Sequence, residues 1–264
     1  MFFSIFKSKS SFVGFLGSCL ISLFIKSENI ISFILLFFKN LIQRPFYTEI
    51  FYQQLIFIGF LSIPLIGLTA FFSGAVLALQ TFAGFSRFSA ESTIPTVVVL
   101  SIVRELGPVL SGLMISGRVG SSIAAEIATM KVTDQIDALY ILSTNPIKYL
   151  IVPKVLATTI SLPILVIFAD FIGIMGGYIV SIFKFDFNNI SYIENTLKYL
   201  KAIDIYMSIT KAVFFGFVIS ITSCFFGYNA DKGARGVGIA TTNSVVVSSI
   251  LLLLSNYFIT QLFI

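Results

Sequence analysis

Residues 98–146 read VVLSIVRELGPVLSGLMISGRVGSSIAAEIATMKVTDQIDALYILSTNP, and this stretch decides the fold class of the chain. Its first third is apolar enough to lie in a lipid bilayer. The remainder is polar and helix-forming, and it stands between two hydrophobic segments. The pattern predicts a chain that crosses the membrane, carries a charged helix at the membrane surface, and crosses again.

The composition supports the same class. Apolar residues make up 57% and charged residues 11% of the 264 residues, against about 45–50% and 25% in soluble chains. Several apolar runs exceed ~18 residues, enough to cross ~30 Å of hydrocarbon. We therefore predict an all-α integral membrane protein. Basic residues in the loops explain the net charge of +5, so no nucleic-acid partner is expected.

Five membrane spans are predicted, at residues 55–79, 94–116, 156–183, 206–228 and 244–264. Together they form a permease-like transmembrane domain over residues 55–264. Residues 1–54 are predicted to be an interfacial or re-entrant segment, because each of their apolar runs is too short to span the bilayer. A cleaved signal sequence is the competing interpretation. The glycine-rich residues 229–243 are expected to form a flexible loop.

The distribution of Lys and Arg predicts the orientation. These residues are in excess in the N-terminal region, in residues 117–154 and in residues 229–243. Because basic loops stay on the cytoplasmic side, we place these segments on the cytoplasmic or stromal face.

Small residues inside the spans predict close helix packing. Gly74 belongs to a stripe with a small residue at every fourth position, and Gly173 and Gly177 bound the sequence GIMGG. Such residues let two helix backbones approach closely.

Three charged residues, Arg104, Glu105 and Asp170, fall inside predicted spans. Each costs about 2.5–3.5 kcal/mol at the bilayer centre, so each is expected to face a cavity or a neighbouring helix. Pro108 frees the carbonyl of Arg104 and is expected to help bend the helix. Lys211, near the start of the fourth span, is expected to reach out to the interface.

The polar segment 117–145 is predicted to be one amphipathic helix, or two short ones, on the cytoplasmic surface. Placed at 100° intervals, its apolar stripe lies opposite Glu126, Asp134 and Asp137. Ile123 and Ile127 fall on the charged side, and a mixed face of this kind suits a protein partner. A surface helix with incidental hydrophobic residues is an equally good interpretation.

The segment RELGPVLSGLMISGRVGSSIAAEIATMKVTDQIDAL (104–139), with NPIKYLIVPKVLA (145–157) and GIMGG (173–177), resembles the signature of the MlaE-type (YrbE-like) ABC transporter permease family. The resemblance covers roughly residues 60–260. Bacterial members of that family belong to lipid-trafficking complexes with MCE proteins, and relatives occur in chloroplast envelopes and algal plastid genomes. The resemblance therefore implies a homodimeric permease that moves phospholipid or a related glycerolipid, with an ABC ATPase subunit and an MCE-domain lipid-binding protein as partners.

The resemblance also implies where the ATPase docks. Glu126 would be the main docking acid, with Arg118, Lys131 and Asp134 around it. The alternative for Arg118 is an anchor to lipid phosphate at the interface. The lipid path would lie at the dimer interface, lined by spans one, two and five.

The motifs that are missing from the sequence limit the chemistry. Neither GxxxxGKS nor GxxxxGKT occurs, so ATP hydrolysis is expected from a separate subunit. With no histidine and no acidic cluster, we expect no catalytic residue, no cofactor and no metal site. The alternative function is an ion-coupled carrier or channel, in which Arg104, Glu105 and Asp170 form a relay. A lipid-modifying membrane enzyme is disfavoured.

The residue usage suggests an AT-rich genome, with 30 phenylalanines and neither histidine nor tryptophan. We therefore expect a multi-pass protein of a plastid membrane, the chloroplast inner envelope, with a bacterial inner membrane as the alternative.

Overall fold

The computed structural model describes residues 28, 30–41, 47–86, 93–185 and 187–263. Within these ranges every regular element is a helix and none is a strand. The chain divides into two compact units, residues 1–45 and 46–264. The all-α fold class is confirmed.

The first unit contributes one described helix, α1 (Ile30–Leu41). Its 12 residues extend about 18 Å, which is too short to cross the hydrocarbon core. Residues 1–27 lie outside the described residues, so the interfacial position of residues 1–54 stays a prediction.

The second unit contains five helices that are long and apolar enough to cross a membrane, as predicted: Thr48–Phe85, Ile94–Val132, Ile147–Phe185, Ala202–Tyr228 and Ala234–Phe263. We number these spans 1 to 5. Their α-helical parts are α2 (Thr48–Ile58), α3 (Ile63–Phe85), α4 (Ile94–Ser101), α5 (Gly107–Ile115), α6 (Ser121–Val132), α8 (Val152–Phe185), α10 (Ala202–Tyr228) and α11 (Ala234–Phe263). Two short helices, α7 (Gln135–Ile141) and α9 (Asn189–Tyr199), connect spans.

Several spans contain turns that depart from the α-helix. A 3₁₀ turn over Phe60–Ser62 separates α2 from α3, and Pro64 lies in the first turn of α3, where its missing N–H breaks no helical bond. In span 2, π-helical turns over Ile102–Leu106 and Ser116–Gly120 join α4, α5 and α6. A π-helical turn inserts one extra residue into the helix, and π-helical turns are frequent at functional sites.

The helix of the second span continues past residue 116, the predicted end of the membrane crossing, so the position of that end stays a prediction. The helix passes without a break through residues 116–117 and ends only at Val132, because no proline interrupts it and apolar residues continue to recur. A separate helix begins only after Asp134, whose φ of 57° lies in the left-handed region.

The prediction of a flexible loop over residues 229–243 is wrong. Gly233 forms the turn with a φ of +89°, and α11 starts at the next residue. Gly236 lies inside the helix, where a Cβ atom would stand 2.0 Å from the carbonyl oxygen of Asp231. Glycine is therefore required there by a close backbone approach.

Spans 1 and 3 form the most intimate helix pair. A Cβ atom on Gly74 would lie 2.0 Å from the carbonyl oxygen of Gly173, and one on Gly176 would lie 2.3 Å from the carbonyl oxygen of Phe71. Small residues thus bring the two backbones together, and they fix span 3 beside the turn that carries the charged residues.

Candidate functional site

The charged residues of span 2 stand on the π-helical turn over Ile102–Leu106. Pro108 has no N–H, so the carbonyl oxygen of Arg104 lacks its normal helical donor. Lys211 of span 4 supplies the missing donor, with its Nζ 2.7 Å from that oxygen. The turn therefore offers a backbone acceptor to a neighbouring helix.

Two ion pairs join span 2 to span 4. Arg104 Nε donates to Asp204 Oδ1 at 2.8 Å, and Lys211 Nζ donates to Glu105 Oε1 at 2.8 Å. Asp204 and Lys211 are fully buried, whereas Arg104 and Glu105 are partly exposed. We call these four residues the charged cluster. Its formal charges cancel, as expected of charges held within a membrane.

Span 5 completes the cluster. Asn256 Nδ2 donates to Glu105 Oε2 at 2.8 Å, and Thr260 Oγ1 donates to Glu105 Oε1 at 3.1 Å. The Glu105 carboxylate thus accepts hydrogen bonds from spans 4 and 5 at once. Its position depends on the relative placement of three helices.

The sequence identified only half of this cluster. Asp204 was not among the charged residues singled out from the sequence. The expectation that Lys211 reaches out to the interface is wrong, since its side chain is completely buried. A lysine in the first turns of a span can either extend to the membrane interface or form a buried ion pair with a neighbouring helix. A carboxylate on the helix that faces Lys211 would have indicated the buried ion pair. Hydropathy alone does not show which helices face each other.

A cavity of about 520 Å³ opens beside the cluster. It combines charged and apolar surface, and its lining residues are Leu100, Ser101, Arg104, Glu105, Ile203, Asp204, Met207, Thr260 and Phe263. A site of this size that combines charged and apolar side chains suits an amphiphilic ligand.

Asp170 of span 3 lies outside the cluster. Ser208 Oγ donates to its Oδ2 at 3.0 Å, and a Cβ atom on Gly107 would stand 1.7 Å from its Oδ1. Among the described residues, no hydrogen bond joins Asp170 to Arg104 or Glu105. The three residues that were predicted to form a relay are therefore not joined by one.

The C-terminal end of span 2 packs against other helices of the same chain. Ile123 and Ile127 are buried, and Gly227 of α10 approaches α6 so closely that a Cβ atom would lie 2.9 Å from Ile127. The prediction that these isoleucines form an outward face is wrong. The periodicity placed apolar residues on both sides of the helix and could not decide which side faces neighbouring spans.

Glu126 lies on the exposed side of α6 and binds span 3. Its Oε2 accepts a hydrogen bond of 2.6 Å from Lys154 Nζ. The Lys154 side chain is only 2% exposed, whereas that of Glu126 is 48% exposed. The sequence had treated Lys154 as a loop charge, so this pair was missed.

The other predicted docking residues point to different neighbours. Arg118 Nη1 donates to Ser62 Oγ of span 1, and Lys131 Nζ donates to Asp137 Oδ1 at 3.3 Å. Asp134 is exposed at the turn that precedes α7. The structure therefore does not gather these residues with Glu126 into one compact site.

Helix α7 is the most exposed part of the segment between spans 2 and 3. Ile136 is buried, and the Tyr140 hydroxyl hydrogen-bonds the Tyr228 hydroxyl of α10 at 2.9 Å. The next two residues, Ile141 and Leu142, are 84% and 72% exposed. An apolar tip outside the spans marks a candidate contact with another protein.

Comparison with known proteins gives consistent matches over most of the chain. Residues 51–262 match the family described as Permease MlaE. A "Probable ABC transporter permease protein" of Rickettsia felis is 60% identical over 225 residues, which cover 85% of this chain and 87% of that protein. Proteins with the same description from a Synechocystis strain and from Pyropia yezoensis are 40% and 38% identical. The alignment with the Synechocystis protein covers 80% of this chain and 80% of that protein. The alignment with the Pyropia protein covers 81% of this chain and 83% of that protein.

Proposed function

We propose that this chain moves phospholipid or a related glycerolipid. The chain belongs to the MlaE permease family and is therefore the multi-pass permease component of an ABC transporter. The ATP would be hydrolysed by a separate ATPase subunit. The observation that carries the proposal is the 520 Å³ cavity beside the charged cluster.

The cavity has the two chemistries that a membrane lipid needs. Arg104 is partly exposed and carries guanidinium N–H groups suited to a phosphate. Leu100, Ile203 and Phe263 supply apolar surface for an acyl chain. Contributions from spans 2, 4 and 5 also mean that a shift between these helices would change the shape of the site.

The proposed docking surface for the ATPase is the segment 117–145, with Glu126, Arg118, Lys131 and Asp134 as its charged residues. The exposed tip of α7 supports this placement, because interfaces combine an apolar anchor with a polar rim. Tyr140 would pass a movement of α7 to span 4 through its bond to Tyr228. An MCE-domain lipid-binding protein and a second copy of the chain are the other proposed partners.

For the location, the 60% identity to a Rickettsia protein supports a bacterial inner membrane. The chloroplast inner envelope, which the residue usage favoured, is supported by the 38% identity to the Pyropia protein. The larger identity leads us to propose the bacterial membrane.

The test is ATP-dependent movement of a fluorescent phospholipid by the permease and its ATPase, reconstituted together in vesicles. The double variant Arg104→Gln with Asp204→Asn removes one ion pair without leaving an unpaired charge. We expect it to retain its thermal stability and to move lipid about 10- to 100-fold more slowly, since a hydrogen bond to a charged group contributes about 1.5–3 kcal/mol.

If the double variant moves lipid at an unchanged rate, the transported lipid does not bind in the cavity beside the charged cluster. Transport that follows a proton gradient and ignores ATP would favour the ion-coupled carrier instead. The separation of Asp170 from the charged cluster already counts against such a relay.

A further inference from the structure

Asp170 of span 3 is buried where spans 2, 3 and 4 meet. Its side chain packs between Gly107 of span 2 and Ser208 of span 4. The residue is only 9% exposed, and it does not line the cavity beside the charged cluster. Its carboxyl group therefore has little access to water.

The two carboxyl oxygens of Asp170 have different surroundings. Oδ2 lies 3.0 Å from Ser208 Oγ, whereas Oδ1 is buried without a hydrogen-bond partner among the described residues. Oδ1 fills the space of the absent side chain at position 107, since a Cβ atom there would stand 1.7 Å from it. The backbone of span 2 thus closes over this oxygen and supplies no hydrogen bond to it.

No ion pair within the described ranges neutralises Asp170. The charged residues around it on spans 2 and 4 pair with one another, Arg104 with Asp204 and Glu105 with Lys211. Asp204 and Lys211 stand about one helical turn before and after Ser208. An ionised Asp170 would therefore add an uncompensated negative charge beside charges that otherwise cancel.

The other surroundings of Asp170 supply no counter-charge. Helices α3, α4 and α5 contain no titratable residue, and Tyr206, two residues before Ser208, is 67% exposed. The turn that follows α2 packs against Ser161, about 14 Å along α8 from Asp170. The remaining titratable residues on elements that pack against α8 are more distant: Glu49, Tyr52, Lys148, Tyr149, Lys154, Tyr178, Lys184, Cys224 and Tyr228.

A protonated carboxyl group fits these surroundings. Burying an ionised carboxylate without a cation costs far more than burying the neutral acid, so such a group takes up a proton. In the acid, Oδ2 carries the proton and donates to Ser208 Oγ, because a hydroxyl accepts as well as donates. Oδ1 is then a carbonyl oxygen, which tolerates the lack of a partner better than a buried N–H does.

We propose that Asp170 binds a proton at neutral pH and that this proton holds spans 2, 3 and 4 in contact. Separation of span 2 from span 3 would hydrate the carboxyl group and release the proton. Loss of the proton would in turn favour separation, because the two equilibria are linked. The proton site is distinct from the proposed lipid cavity and does not depend on lipid transport.

Infrared spectroscopy of the full-length permease detects the proton directly. A protonated carboxyl group has a carbonyl band above the amide region, and a maltoside detergent contributes no carbonyl group of its own. We expect a band at neutral pH that Asp170→Asn removes. Asp137→Asn replaces an exposed aspartate and is the matched control that should keep the band. Ser208→Ala should keep the band and shift it to higher frequency, because the acid loses its hydrogen-bond acceptor.

A denaturant titration of the same proteins measures what the proton does for packing. The unfolded chain exposes Asp170 to water, where an aspartate is ionised at neutral pH. While the native state keeps its extra proton, the unfolding equilibrium constant of the wild type should rise about tenfold per pH unit relative to that of Asp170→Asn. An equal pH dependence in both proteins would overturn the role of the proton in holding the spans together.

Identical carbonyl bands in the wild type and Asp170→Asn would overturn the proposal that Asp170 is protonated. If Asp170→Asn does not fold, the Ser208→Ala spectrum decides, and an unshifted band would overturn the proposal. Neither experiment measures lipid movement, so either result leaves the proposed lipid cavity to its own test.

Discussion

Removing the carboxylate of Glu126 is expected to destabilise the permease, because it leaves the ammonium of Lys154 buried without an anionic partner. The two side chains are joined at 2.6 Å, and Lys154 is only 2% exposed. Glu126→Gln keeps the size of the side chain and removes its charge. The variant therefore tests the ion pair with little change in packing.

The magnitude follows from the burial of the two partners. Truncating one partner of a fully buried ion pair costs about 3–5 kcal/mol, and a surface pair contributes about 0–1 kcal/mol. Since Glu126 is 48% exposed, we expect a loss of about 2 kcal/mol, between these limits. For a chain of this size, the melting temperature should fall by about 4–8 °C.

The assay is thermal unfolding of the purified permease in mild detergent, followed by the loss of monodisperse protein in size-exclusion chromatography. Asp137→Asn is the matched control, because its pair with Lys131 is exposed on both sides. We expect the control to shift the melting temperature by less than about 3 °C. An equal shift in both variants would refute the reasoning from burial.

The reversed pair Glu126→Lys with Lys154→Glu separates stability from docking. If the attraction alone matters, the double variant should recover most of the lost stability. If Glu126 also docks the ATPase, the double variant should still fail to co-purify with that subunit. If the double variant recovers both the melting temperature and co-purification with the ATPase, Glu126 serves only in the ion pair with Lys154 and is not part of the docking surface.

Two further predictions concern helix packing and the exposed tip. Gly74→Ala should destabilise the protein by about 1–3 kcal/mol, because its Cβ would overlap the backbone of span 3. Gly84→Ala, with open space around its Cβ, should leave the stability unchanged or raise it by up to about 1 kcal/mol in the same unfolding assay. Ile141→Asp should abolish co-purification with the ATPase at an unchanged melting temperature, and retained binding would exclude the tip of α7 as the anchor.

The sequence predicted five membrane-spanning helices but not how far each helix continues. Span 2 was expected to end at residue 116 because Arg118 and the polar residues after it suggested a surface segment. In the structure Arg118 bonds to Ser62 of span 1 and the helix continues. A polar residue inside a membrane protein can be satisfied by another helix, and a single-chain pattern does not reveal that helix.

The candidate site was predicted in part for the same reason. Arg104 and Glu105 were conspicuous because charge is rare inside a span, yet their partners Asp204 and Lys211 lie about a hundred residues further along the chain. Those partners stand near the beginning of span 4, where charge is ordinary. Their role becomes visible only when spans 2 and 4 are placed side by side.

The number of spans, their order and the all-helical class follow from the sequence by itself. The bilayer acts as a uniform apolar solvent, so each segment responds to its own length and hydropathy. Only the tertiary structure decided which charges pair, which face of α6 is buried and where the cavity beside the charged cluster lies. These depend on contacts between helices that are far apart in the chain, and hydropathy, a sum over neighbouring residues, carries no information about such contacts.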